Sequence, residues 1–262
     1  MTRWRFIDSG PCAASYNMAL DEALAVTVQK SDSPPALRIY GWEKPSVSLG
    51  SFQKMSDVDL KYCVDHTIPV VRRPTGGRAI FHGDELTYSF SSRNEGLFSV
   101  GLLDSYRKLS IAFKSALEML GLRVAMKTER ESGRTLARSA LCFASTSYGE
   151  ISYEGKKLVG SAQKRWKEGL LQQGSIPYVI DEEETKRIFS IVPVRPAKEG
   201  MIGLKDLLPN LNHEEVKEAI RFAFERTLGI TFHRVSPSPS EERLARELEA
   251  RKYLSPDWNH QR

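Results

Sequence analysis

Arg72-Arg73-Pro74-Thr75-Gly76-Gly77-Arg78-Ala79-Ile80-Phe81-His82 is the stretch from which the rest of the chain is best read. Pro69-Val70-Val71-Arg72-Arg73 has the apolar, β-branched character of a short buried strand, so the run describes arginines leaving a strand. Paired glycines then give the backbone a tight path, and a histidine closes the segment. Backbone N–H groups that no Cβ screens, set beside guanidinium groups, suit a carboxylate, a phosphate or an acyl carbonyl. The same letters are equally consistent with a glycine turn carrying surface arginines, because Gly-Gly turns are common.

Working outward, Leu37 to Trp42 and Ser46 to Gly50 predict strands around a turn at Glu43-Lys44-Pro45. Ser15 to Leu24 predicts a helix with Ser15 as its cap and Met18, Leu20, Ala23 and Leu24 as its apolar stripe. Leu86 to Ser91 alternates at period two, as a half-buried strand does. Ser105 to Leu120 is amphipathic at helical period and stops at Gly121. Glu129 to Ser139 is polar, arginine-rich and loop-like. Tyr148 to Gly160 predicts a hairpin with Glu154-Gly155 at its tip, and Leu170 to Ile176 another strand. Past Asp181 the pattern is helical: 181–190, 212–228 and 240–254, the last two separated by Ser-Pro-Ser-Pro at 236–239. No repeat is present. Strand-rich segments flanked by helices predict an α+β fold with a largely antiparallel sheet. The expected organisation is one catalytic domain over residues 1–262, with a helical C-terminal part from about 181.

Composition narrows the function classes. Hydrophobic residues make up 40% and charged residues 27% of the 262, ordinary values for a globular chain. No run approaches the roughly 18 apolar residues of a membrane-spanning helix. The N-terminal Met1-Thr2-Arg3-Trp4-Arg5-Phe6-Ile7-Asp8 has no secretory pattern, so a cytoplasmic location without membrane attachment is expected. Three cysteines, Cys12, Cys63 and Cys142, show no metal-ligand spacing and cannot all pair. The net charge of +5 comes from basic residues scattered among acidic ones. That balance suits an acidic protein partner better than nucleic acid, whose readers show basic stripes with aromatic interleaving.

Two further segments carry chemistry. Lys157 runs into Gly160-Ser161-Ala162, and small residues in a strand mark close approach by a ligand or another backbone. Taken alone, Lys157 reads as a surface charge. Cys142 lies between Leu141 and Phe143, after the arginine-rich loop and before the Lys157 hairpin. A cysteine in that setting reads as a small buried hydrophobe, yet neighbouring cations would lower its pKa and raise its thiolate fraction.

Together these stretches resemble the lipoate–protein ligase and octanoyltransferase superfamily, which shares its fold with biotin ligases. The Arg-Arg-Pro-Thr-Gly-Gly-Arg-Ala run with His82, and Lys157 with Gly160-Ser161-Ala162-Gln163, are similar to its two signature stretches. Trp4 to Gly10, Asn17 to Leu24, Leu171 to Ile176 and Asp257-Trp258-Asn259 resemble the cysteine-dependent octanoyltransferase branch, so the likeness spans nearly the whole chain. The resemblance implies that Cys142 is the acyl-accepting cysteine and that Lys157 lies beside the acyl carbonyl. It further implies that Arg73, Thr75, Gly76, Gly77 and His82, with Gly160, Ser161 and Ala162, form the substrate pocket. One departure is local: Gly83-Asp84-Glu85 follows His82, where the family often has an acidic residue directly.

The implied reaction moves an octanoyl group from acyl carrier protein to Cys142. From there it passes to the ε-amine of a lysine on a lipoyl-domain protein, such as the glycine cleavage H protein or a 2-oxoacid dehydrogenase E2. Thioester exchange is nearly neutral and aminolysis runs downhill, so no cofactor, metal or nucleotide is expected, and the protein is expected to act as a monomer. Three alternatives differ in chemistry: an ATP-dependent lipoate ligase, against which the lack of an accessory domain speaks; an amidotransferase between lipoyl domains; and a non-enzymatic basic docking module.

Overall fold

Glu85–Arg93 and Gly169–Pro177 are buried along almost their whole length and pair antiparallel over nine residues at the centre of the molecule. Around them, a computed structural model describes residues 2–127, 149–189 and 200–261. The strands in chain order are β1 (Thr2–Cys12), β2 (Ala36–Trp42), β3 (Ser46–Leu49), β4 (Val70–Arg72), β5 (Ile80–His82), β6 (Glu85–Arg93), β7 (Ala125–Met126), β8 (Ile151–Tyr153), β9 (Lys156–Arg165), β10 (Gly169–Pro177) and β11 (Ile230–Arg234). Eight form one sheet in the order β11-β1-β2-β6-β10-β9-β8-β7, and β4-β3-β5 form a small second sheet. Most pairs are antiparallel; β1 runs parallel to both β11 and β2, and β3 parallel to β4.

Helices cover the two faces of the large sheet. Helix α1 (Ala14–Gln29) lies on one face against β6 and β10, with the C-terminal helix Pro239–Leu248 packed on it. Helix α3 (Leu102–Met119), numbered after the short α2 (Leu60–Asp65), packs with His213–Leu228 on the other face. There Trp4, Phe6, Tyr88, Phe90, Phe113 and Phe224 form one continuous core. None of the described helices is long and apolar enough to cross a membrane.

Several expectations change here for physical reasons. Ser15 lies inside α1 rather than capping it; the N-cap is Ala13, and the Ser15 hydroxyl donates to Glu249 at 2.6 Å. β2 and β3 do not pair with each other, because the chain leaves the large sheet at Glu43-Lys44-Pro45 and enters the small one. β6 alternates in sequence but is buried on both faces. Leu86, Tyr88 and Phe90 enter the aromatic core, while Thr87, Ser89 and Ser91 are buried on the opposite side, where Ser89 donates to the α1 carboxylate Asp21. The segment after Asp181 is not only helical, since β11 returns to the sheet edge beside β1. The Glu154-Gly155 tip is as expected: both residues have positive φ, +48° and +80°, the signature of a tight two-residue turn.

Candidate functional site

The glycine-rich run is held open by its own arginines. Arg72, fully buried, donates to the carbonyls of Gly50, Gln53 and Asn259 at 2.6–3.1 Å, and Trp258 Nε1 donates to the Arg72 carbonyl at 2.8 Å. The terminal Asp257-Trp258-Asn259 motif thus clamps the start of the loop. Arg73 turns the other way, donating to the carbonyls of Ser48, Gly76 and Arg78. The loop's tightness shows at Gly50, where an added Cβ would sit 1.9 Å from the carbonyl oxygen of Gly77, itself at φ +85°.

His82 is fixed at both ring nitrogens. Nε2 lies 2.7 Å from Ser48 Oγ, Nδ1 lies 2.8 Å from Glu85 Oε1, and the ring stacks on Trp42 at 3.9 Å. Ser175 donates to Glu85 at 2.8 Å, and Thr87 donates to it while accepting from Trp42 Nε1. Burial by itself pushes the Glu85 carboxyl up. The His82 charge and the hydrogen bonds from His82, Thr87 and Ser175 outweigh it and hold the group below its ordinary 4.5. The acidic partner expected immediately after His82 is therefore Glu85, three residues on; Asp84 instead faces Lys205 at 2.7 Å.

Thr75 donates to Gln173 Oε1 at 2.8 Å, and Gln173 Nε2 donates to Asp21 at 2.7 Å, so the glycine loop is tied to α1 through one locked amide. Asp21 also takes Arg38, Tyr40 and Ser89 at 2.5–2.8 Å. Of these groups Tyr40 and Gln173 line a narrow cleft, whose walls include Arg73, Ile80 and His82 on one side and Gly160, Ser161 and Ala162 on the other. Ser161 is fixed by Tyr88, 2.6 Å from its hydroxyl, and by Tyr106, which donates to its carbonyl at 2.9 Å. Burial pushes the Tyr88 phenol up to about 12, so it stays a hydrogen-bonding group rather than a base.

The two signature stretches thus meet across one cleft. Arg73, His82, Gly160, Ser161 and Ala162 line it; Thr75 braces it from behind, and Gly76 and Gly77 form the loop beside it. Lys157 is not on the surface. Its side chain is fully buried and forms an ion pair with Glu150, and its backbone bridges to Met201, which packs on the cleft residue Ile80. Cys142 lies outside the described residues, as do the whole Glu129–Ser139 loop and Tyr148, the first residue of the expected hairpin. Burial pushes the other two thiols up, Cys63 to about 11, which disfavours the thiolate a nucleophile requires.

Sequence reasoning missed Asp21, Trp42, Ser48, Glu85, Glu150 and Gln173. Asp21 could have been found, because it occupies an apolar-stripe position of α1 between Met18 and Leu24. Glu150 could have been found from the hairpin register, which puts it on the same face as Lys157. Gln173 carries no local signal.

Residues 13–225 match the family model described as the lipoyl protein ligase A/B catalytic domain. Among curated proteins, octanoyltransferase LipM of Geobacillus kaustophilus is 38% identical, with 99% of this chain and 98% of the relative covered. The Bacillus subtilis protein of the same name is 33% identical over 99% and 98%. Among solved structures, lipoate-protein ligase A bound with ATP superimposes with a TM-score of 0.83 at 26% identity, over 99% of this chain and 98% of that one. The archaeal bi-partite lipoate protein ligase from Thermoplasma acidophilum has the same fold, with a TM-score of 0.82 at 24% identity, over 99% and 97%. A glycine loop facing a small-residue strand across one cleft, inside a match of this extent, leaves one assignment: the chain belongs to the lipoyl protein ligase A/B catalytic-domain family.

Proposed function

We propose that the protein is an octanoyltransferase of lipoate biosynthesis that carries the acyl group on Cys142. The observation that carries this reading is the near full-length similarity to octanoyltransferases at 33–38% identity. The cleft supports it by placing the two signature stretches opposite each other, with the small residues Gly160 and Ala162 facing Arg73 and His82. In the first step the Cys142 thiolate attacks the thioester carbonyl of an octanoyl carrier protein. The C–S bond to the carrier's thiol breaks, and that thiol leaves with the proton that Cys142 gave up. In the second, the neutral ε-amine of a lipoyl-domain lysine attacks the acyl-enzyme. An amide forms, the amine proton is released, and Cys142 is regenerated. Lys157 stabilises the thiolate and the oxyanion of both tetrahedral intermediates. The preferred partners are an octanoyl acyl carrier protein as donor and the glycine cleavage H protein or a dehydrogenase E2 as acceptor. One domain acting as a monomer in the cytoplasm completes the reading.

The second reading is an ATP-dependent ligase, favoured by the fold shared with an ATP-bound lipoate-protein ligase of nearly equal extent. Chain length therefore does not separate the two. Transfer from octanoyl carrier protein to a lipoyl-domain acceptor, with residual nucleotide destroyed by apyrase, does. Modification without nucleotide is expected; modification only with ATP and free octanoate or lipoate would replace the transferase with the ligase.

A further inference from the structure

We infer that Glu150 is a positioning residue for the reaction, acting through Lys157; the inference rests on the proposed role of Lys157 in acyl transfer. The two side chains form an ion pair in which Lys157 is 0% and Glu150 3% exposed. Desolvating two charges is costly, and a well-packed apolar pair in the same space holds a fold at least as well. A buried pair at the flank of a cleft is therefore better explained by what the ammonium does there than by stability.

The backbone around Glu150 is built to hold it still. Gly149 sits at φ +79°, where a Cβ would lie 2.6 Å from the Tyr106 ring, so the chain can press onto α3 only because this residue is glycine. The hydroxyl of the same Tyr106 donates to the carbonyl of Ser161, a wall of the cleft. One rigid ring therefore fixes the backbone next to Glu150 relative to the acyl site. Lys127 and the 149–150 segment exchange backbone hydrogen bonds of 2.8 and 3.0 Å, extending the β7–β8 ladder up to Glu150. Across the hairpin, Ser152 pairs with Lys157 but Ile151 pairs with Val159, so β9 bulges by one residue beside Lys157. Bulges re-aim side chains. Glu150 directly precedes β8 and its carbonyl continues the ladder, so two residues before Ser152 it shares the face onto which Lys157 projects. The carboxylate thus draws the ammonium back along that face and fixes its height relative to Gly160.

The test is a double-mutant cycle on transfer kinetics with Glu150→Gln, Lys157→Ala and the double variant. Displacing a catalytic group by about 1 Å can cost on the order of 100-fold in rate. Glu150→Gln is therefore expected to lower kcat by about that factor with KM for octanoyl carrier protein unchanged, and to add no loss in the Lys157→Ala background. Thermal melts of each variant keep folding apart from catalysis. Glu150→Asp retains the countercharge while withdrawing it by one methylene, so it serves if the Gln variant does not fold; it too is expected to lose kcat. Wild-type kcat in either Glu150 variant, or an equal loss with and without Lys157, overturns the inference while leaving the proposed function intact. Near wild-type transfer by Lys157→Ala overturns the inference together with the role proposed for Lys157, and leaves octanoyl transfer through Cys142 in place.

Discussion

Two buried charge clusters flank the cleft, and they are built for different work. Asp21, beneath the floor, is wrapped by Arg38, Tyr40, Ser89 and Gln173, which come from three strands of the central sheet. Its charge is spread over many fixed donors, and it joins α1 to β2, β6 and β10. Lys157 and Glu150 pair within a single hairpin, beside a bulge, with Lys157 three residues before the cleft wall at Gly160. A hub with many partners ties elements together. An ion pair within one hairpin joins residues only seven positions apart in the chain. Burial alone therefore does not separate a charge that staples elements from one proposed to serve the reaction, and variants of the two clusters have to be compared.

Breaking the hub should show up in folding. Asp21→Ala leaves Arg38 buried without its countercharge, which typically costs about 3–5 kcal/mol, a large part of the roughly 5–15 kcal/mol that holds a domain folded. Urea unfolding is expected to give a loss of that size, and a midpoint within error of wild type would show that the hub is not a staple. Lys157→Ala likewise leaves a buried charge, Glu150, without its partner and is expected to cost stability as well. What sets it apart is an added loss in turnover of the folded protein, by about 100- to 1000-fold as for removal of one oxyanion donor, read in the transfer assay. A loss in stability alone would move Lys157 to the Asp21 class.

The smallest effect lies between the two clusters, at Glu85. Its folded carboxyl titrates below the ordinary 4.5, so its contribution to stability is present above that value and is lost as pH falls through the folded one. The stability gap between wild type and Glu85→Gln is expected to be constant near neutral pH and to shrink as pH drops below about 4.5. A gap that widens on acidification would mean that the His82–Glu85 contact is not ionic.

The fold was legible wherever one face of an element repeats: the amphipathic α3, the Glu154-Gly155 hairpin and the strands around the glycine run all stand where periodicity and turn chemistry put them. It was not legible where polar side chains are buried. Thr87, Ser89 and Ser91 look like a solvent face of β6, yet all three are buried, and Ser89 and Thr87 bond to side chains distant in sequence, Asp21 and Trp42. Lys157 looked like a surface charge for the same reason, since its partner is read from strand register rather than from neighbouring letters. The clamp of Asn259 on Arg72 spans 187 positions, a separation that local pattern does not encode.

Whether Cys142 carries the acyl group, as proposed, is read from intact-protein mass after mixing with octanoyl carrier protein, without nucleotide and without acceptor. Wild type, Cys12→Ala and Cys63→Ala are each expected to gain the mass of one octanoyl group, which hydroxylamine removes and an added lipoyl domain discharges onto its lysine. Cys142→Ala is expected to gain nothing and to transfer nothing. Full transfer by Cys142→Ala, or an adduct that persists in it, would contradict the account.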